Sequence, residues 1–122
     1  MITKIDHFVI TTSNMKKCID FYTGLGFSVQ EYESRVELYA GDFKINVHYL
    51  NRELSPHATH VQTGSADICF EIDDVIETFK QNLESKGYII HAGVVGRTGV
   101  KGQMNSIYLY DPDGNLIEFS QY

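Results

Sequence analysis

The spacing of hydrophobic positions changes along this chain, and each change marks an element. Residues Lys4 to Ile10 predict a strand. After Asn14, a residue type that caps helices by accepting a backbone N–H, the apolar positions Met15, Cys18, Ile19, Tyr22 and Leu25 recur at helical spacing. Gly24 and Gly26 end that helix. Phe27 to Tyr32, Val36 to Tyr39 and Phe43 to Tyr49 then predict short strands, with Ala40-Gly41-Asp42 as a tight turn between the last two. The order is βαβββ over about residues 1–50, and a polar connector of about 51–65 follows.

The same order returns over about residues 66–122. Asp67 to Ile72 predicts a strand, and Asp74 with Glu77 predicts a capping box ahead of a helix on Ile76, Phe79 and Leu83 that Gly87 closes. Tyr88 to Ile90, Ser106 to Tyr110 and Leu116 to Ser120 follow as strands. Asp111-Pro112-Asp113-Gly114 supplies the turn into the last. Overlaying the halves pairs His7 with Asp67, Leu38-Tyr39 with Leu109-Tyr110, and Ile45-Asn46-Val47 with Ile117-Glu118-Phe119. The expected fold class is therefore α+β: two βαβββ repeats forming a curved, open mixed β-sheet barrel with helices outside, in one domain. A ferredoxin-like sandwich is the alternative.

Strand residues alternate between faces, and this decides where chemistry can sit. Phe8 and Ile10 oppose His7 and Val9; Ile45 and Val47 oppose Asn46 and His48; Ile68, Phe70 and Ile72 oppose Asp67, Cys69 and Glu71; Ile117 and Phe119 oppose Glu118 and Ser120. With the apolar faces against helices, the other faces carry imidazoles and carboxylates, the donors that Zn, Mn, Ni, Fe or Co accept. His7, Asp67 and Glu118 are the candidate metal ligands. Asp67 also fits a turn cap after Gly64-Ser65, whereas Glu118, flanked by apolar neighbours, needs a cation or a donor network to be tolerated. His48 is a candidate general base or replacement ligand. Arg97 and Lys101 flank a glycine-rich loop (Gly96, Gly99, Gly102) that can close over a pocket and neutralise an anionic substrate. His57 and His60 fall in the connector and read as solvent-exposed loop residues, His60 becoming a ligand only where the connector folds over the pocket.

Composition narrows the partners. A formal charge of −6 with no basic run is the wrong balance for nucleic acid or an anionic surface. No stretch approaches the roughly 20 apolar residues of a membrane span, which points to a cytoplasmic protein. Cys18 and Cys69 lie in apolar patterns and read as buried free thiols.

With Ile5-Asp6-His7 in the first strand and Asp111-Pro112-Asp113-Gly114-Asn115-Leu116-Ile117-Glu118 near the end, the repeated unit resembles the vicinal oxygen chelate superfamily of glyoxalases, bleomycin-resistance proteins and extradiol dioxygenases. Phe43-Lys44-Ile45-Asn46-Val47-His48, Gly64-Ser65-Ala66-Asp67-Ile68-Cys69 and the segment Gly96 to Gly102 are most similar to its glyoxalase-domain, virulence-associated subgroup. The resemblance implies a divalent metal ion, a small-molecule substrate held through adjacent oxygens, and commonly a homodimer whose two chains share the sites. It implies lyase, isomerase or dioxygenase chemistry, or, as in bleomycin-resistance proteins, sequestration without a reaction. The chain departs from the family at Asp67, where His is usual. It departs from glyoxalase I at Asn46, where Glu is usual, and from the fosfomycin-resistance proteins at Val9, where Thr is usual.

Overall fold

The computed structural model describes residues 1–122, which divide into two compact units, Met1–Gly64 and Ser65–Tyr122. The first contains β1 (His7–Thr12), α1 (Met15–Gly24), β2 (Ser28–Glu31), β3 (Arg35–Ala40) and β4 (Phe43–Tyr49). The second repeats the series as β5 (Asp67–Glu71), α2 (Ile76–Ser85), β6 (Ala92–Gly99), β7 (Gly102–Tyr110) and β8 (Leu116–Gln121). The sheets are ordered β1-β4-β3-β2 and β5-β8-β7-β6. In each, the first strand lies parallel to the last, and the remaining pairings are antiparallel.

In the first unit Asn14 Oδ1 accepts the Lys17 N–H at 3.1 Å and starts α1 as expected. Gly26, at φ +110°, ends it, and the Phe27 N–H donates back to the Tyr22 carbonyl at 3.0 Å. The apolar stripe buries Cys18 and Tyr22. Edge-on ring contacts run from Tyr22 to Phe27 and on to Phe43. Ile10, Val36, Leu38, Ile45 and Val47 complete this core, each fully buried aliphatic residue contributing about 1.5–3 kcal/mol.

The second unit packs Phe79 against Phe119 at 4.9 Å between ring centroids, with Ile76, Leu83, Ile107, Leu109 and Ile117 buried around them. Its turn is stitched by Asp111. Oδ1 accepts the N–H groups of Asp113 and Asn115, each at 2.9 Å, and Oδ2 accepts from Asn115 Nδ2 at 2.7 Å. Asn115 Oδ1 in turn accepts the Ala66 N–H at 3.0 Å. The Asp-Pro-Asp-Gly-Asn run thereby fixes both the start of β8 and the residue before Asp67.

Four expectations are corrected. The Asp74–Glu77 capping box does not form: Val75 precedes α2 without a side-chain cap, and Gln121 Oε1 accepts the Ile76 N–H at 2.8 Å. An acceptor from β8 has taken the place of a local one. Tyr88 to Ile90 is not a strand; β6 begins at Ala92. The glycine-rich segment is not an unpaired loop but the paired arm β6–β7, with Gly96 opposite Asn105 and Gly99 opposite Gly102. Intervening Val94, Val95 and Thr98 favour strand, and pairing with Gln103 to Ser106 prevails over the freedom of the glycines. Cys69 is exposed, because it belongs to the polar face of β5.

Candidate functional site

Each sheet has a face turned away from its helix, and the strand register shows which side chains share it. On the first sheet β1 places His7, Val9 and Thr11 beside Lys44, Asn46 and His48 of β4, which lie beside Tyr39, Glu37 and Arg35 of β3. On the second, Asp67, Cys69 and Glu71 lie beside Leu116, Glu118 and Ser120, and these beside Tyr110, Tyr108 and Ser106. The faces inferred from alternation are therefore present within each unit. Neither unit by itself groups three or more His, Cys, Asp or Glu side chains closely enough to hold a metal ion.

His7 is oriented by its neighbour. Its Nδ1 lies 2.7 Å from Asp6 Oδ1. An ionised carboxylate only accepts, so Nδ1 is the donor of this pair and Nε2 is the ring nitrogen left without a part in it. The hydrogen bond from His7 lowers the pKa of Asp6. A carboxylate behind an imidazole is the usual device for presenting a metal-ligating nitrogen.

Glu118 is nearly buried, at 9% exposure. Ser120 Oγ donates to its Oε2 at 3.0 Å. Ser120 Oγ also lies 2.6 Å from Ser106 Oγ and 3.1 Å from Cys69 Sγ. Burial, reinforced by Glu118, raises the pKa of the Tyr108 hydroxyl, and burial likewise raises that of the Cys69 thiol. Glu118 is thus surrounded by neutral, protonated groups, and no ion pair reaches it. Asp67, at the start of β5, is exposed.

Arg97 donates from Nε to Tyr108 Oη at 2.8 Å and from Nη1 to the Gly96 carbonyl at 2.8 Å. Lys101, in the β6–β7 turn, pairs with Glu71 at 2.8 Å, and its N–H donates to Tyr122 Oη at 3.1 Å. Beneath this turn is a cavity of about 650 Å³, lined in part by Cys69, Glu71, Lys101, Glu118, Ser120 and Tyr122. Glu118 therefore faces a space large enough for a small molecule.

His48 is buried. Burial, and then the charge of Arg35, lower its pKa, so the ring is neutral near pH 7 with a lone pair available. His57 and His60 are exposed in the connector.

One group escaped the sequence reading. Glu37 is only 2% exposed, yet its Oε2 accepts from Arg35 Nε and Nη2 at 3.1 and 2.8 Å and from Lys44 Nζ at 2.7 Å. Its Oε1 accepts from the Tyr39 hydroxyl at 2.7 Å. The Lys44 ammonium foremost, against the opposing effect of burial, holds its pKa at about 2. The available signal was the alternation Arg35, Glu37, Tyr39 between apolar Val36 and Leu38. Beside it, Asn46 Oδ1 is buried without any hydrogen-bond partner.

Comparison with known proteins places these features in a family. Over 122 residues the chain is 45% identical to the glyoxalase domain-containing protein RDO1 of Mycosarcoma maydis, covering 99% of this chain and 69% of that one. It is 43% identical to the virulence protein STM3117 of Salmonella typhimurium, covering 100% and 86% respectively. The crystal structure of STM3117 superposes with a TM-score of 0.96 over 100% of this chain and 98% of that chain. A lactoylglutathione lyase from Agrobacterium tumefaciens, at 18% identity and a TM-score of 0.78 over 98% and 94%, shares the fold. The model of the Glyoxalase/Bleomycin resistance protein/Dioxygenase superfamily matches residues 4–119, and the chain belongs to that superfamily.

Proposed function

We propose that this chain is a divalent-metal-dependent enzyme that acts on a small substrate held through adjacent oxygens, as a lyase, isomerase or dioxygenase. The observation that carries the reading is the contrast among its three buried carboxylates, of which Asp111 is satisfied by three N–H donors of its own turn. Glu37 has an arginine and a lysine, whereas Glu118 is nearly as buried and has only hydroxyl and thiol neighbours. A carboxylate out of water needs a cation or a full set of donors; Glu118, which faces a cavity and lacks the N–H donors that hold Asp111, is the one a divalent ion would suit.

His7, Asp67 and Glu118 are the proposed ligands. His7 suits the role because Asp6 engages Nδ1 and leaves Nε2 as the nitrogen to face an ion. An imidazole with two carboxylates suits Zn, Mn, Ni, Fe or Co alike. Such an ion, when bound, supplies Lewis-acid stabilisation of charge developing on a substrate oxygen.

The chain's own groups do the rest. His48, kept neutral by burial and Arg35, is the proposed base that accepts a substrate proton. Arg97 and Lys101 are the proposed cations facing developing negative charge. Arg97 is held in place by Tyr108, and Lys101 exchanges its exposed pairing with Glu71 for the substrate. The active form is proposed as a homodimer, in keeping with the family.

Turnover on a panel of diols, catechols and hemithioacetals is expected to vanish on treatment with EDTA and to return when Zn, Mn, Ni, Fe or Co is restored. If metal-free protein binds panel members as tightly as metal-loaded protein, and no metal-dependent turnover appears, the chain is a sequestration protein instead.

A further inference from the structure

The polar face of the first sheet carries more cationic than anionic side chains, since Glu31 lies on the opposite face. Two cations, Arg35 and Lys44, converge on one oxygen of one carboxylate, Glu37 Oε2, so the hydrogen-bonded cluster has a surplus of one positive charge, which only the exposed Asp6 carboxylate offsets, without a hydrogen bond to either cation. The cations are not sealed in, since their side chains are 31% and 23% exposed. Arg35 uses Nε and Nη2 on Glu37 and so retains N–H groups for another acceptor. Directly across the β3–β4 pair from Glu37 stands Asn46, with its buried and unpartnered Oδ1. Lys44, two residues away on the same strand, donates to Glu37 and not to this oxygen. Asn46 as a whole is only half-buried, and the terminal torsion of Asn is soft, so a small rotation brings that acceptor to the face.

We propose that this face, around Arg35, Glu37, Lys44 and Asn46, recognises a small hydroxy-carboxylate, whose carboxylate meets the surplus charge of Arg35 and Lys44 and whose hydroxyl donates to Asn46 Oδ1. Each half of the ligand answers an unmet requirement: a monoanion balances a single surplus charge, and an O–H satisfies an orphaned acceptor. Glu37 is a positioning residue here. It holds the two cations side by side and keeps Tyr39 turned toward itself. No metal enters the inference, so it holds or fails apart from the proposed metal dependence.

The test is an NMR titration of ¹⁵N-labelled, EDTA-treated full chain with lactate, propionate, 1,2-propanediol and inorganic phosphate. Propionate lacks the hydroxyl of lactate, and the diol lacks its charge. Lactate is expected to perturb the amides of Arg35, Lys44 and Asn46 and to bind at least about tenfold more tightly than either analogue, the factor that a hydrogen bond of ordinary strength supplies. Phosphate is expected to bind more weakly than lactate. Lys44→Met should abolish the lactate response, Lys44→Arg should restore it, and Asn46→Leu should make lactate and propionate equivalent. Equal affinity for lactate and propionate in the unmodified chain would overturn the proposal, as would undiminished binding by folded Lys44→Met or phosphate binding as tight as that of lactate.

Discussion

Glu37→Leu is expected to destabilise the first unit by about 2–4 kcal/mol, slightly below the range for breaking a buried ion pair because its partners are partly exposed. The leucine fills the space, but it leaves Arg35 and Lys44 facing each other without the carboxylate that joins them. The same carboxylate sets an acid limit. Its pKa is about 2 in the folded chain against an ordinary 4.5, so the unfolded chain binds the proton more readily than the folded one. The contribution is complete above pH 4.5 and is lost as pH falls from there toward 2. Chemical denaturation at pH 7 and pH 3 checks both points. The gap between the original chain and Glu37→Leu should be wide at pH 7 and narrower at pH 3, and a gap independent of pH would show that the carboxylate's charge does not stabilise the fold.

Gly93→Ala is expected to cost at least about 2–4 kcal/mol and to loosen the β6–β7 arm, from the sum of an unfavourable backbone conformation and overpacking. Gly93 sits at φ +113°, where L side chains are strained. A Cβ there would lie 2.5 Å from the Ser106 carbonyl oxygen and 2.9 Å from Ile107 Cα, backbone atoms of β7 that have no free rotamer to move aside. The site falls in the register shift between Ala92 and Val95, where β6 bends against β7. Hydrogen exchange should show lost protection in Val95 to Ser106 while β1 to β4 stay unchanged. Retained protection across the arm would mean that β7 shifts at little cost.

These two sites also mark where sequence reading succeeds and where it stops. The repeated order of elements was legible because each depends on local patterning: Asn14 caps α1, and Asp111 to Asn115 form the tight turn their residue types favour. The start of α2 was not, since its stabilising acceptor, Gln121 Oε1, lies far along the chain and a local Asp74–Glu77 box reads equally well. The β6–β7 arm was missed because glycines at 96, 99 and 102 suggest looseness, and only the partner strand supplies the hydrogen bonds that hold them.

Among site residues, alternation alone placed His7, Asp67, Glu118 and His48 on the faces away from the helices. It could not reveal that Arg97 and Lys101 are already engaged with Tyr108 and Glu71. Nor could it show that Glu37 anchors a charge cluster. Such pairings depend on cross-strand register, which is set by turns and packing across a whole sheet.

Metal analysis of freshly purified protein, beside the His7→Ala/Glu118→Ala double variant, tests the central claim most directly. The account predicts stoichiometric divalent metal in the unaltered chain and its loss from a folded double variant. A double variant that keeps full metal occupancy would contradict it.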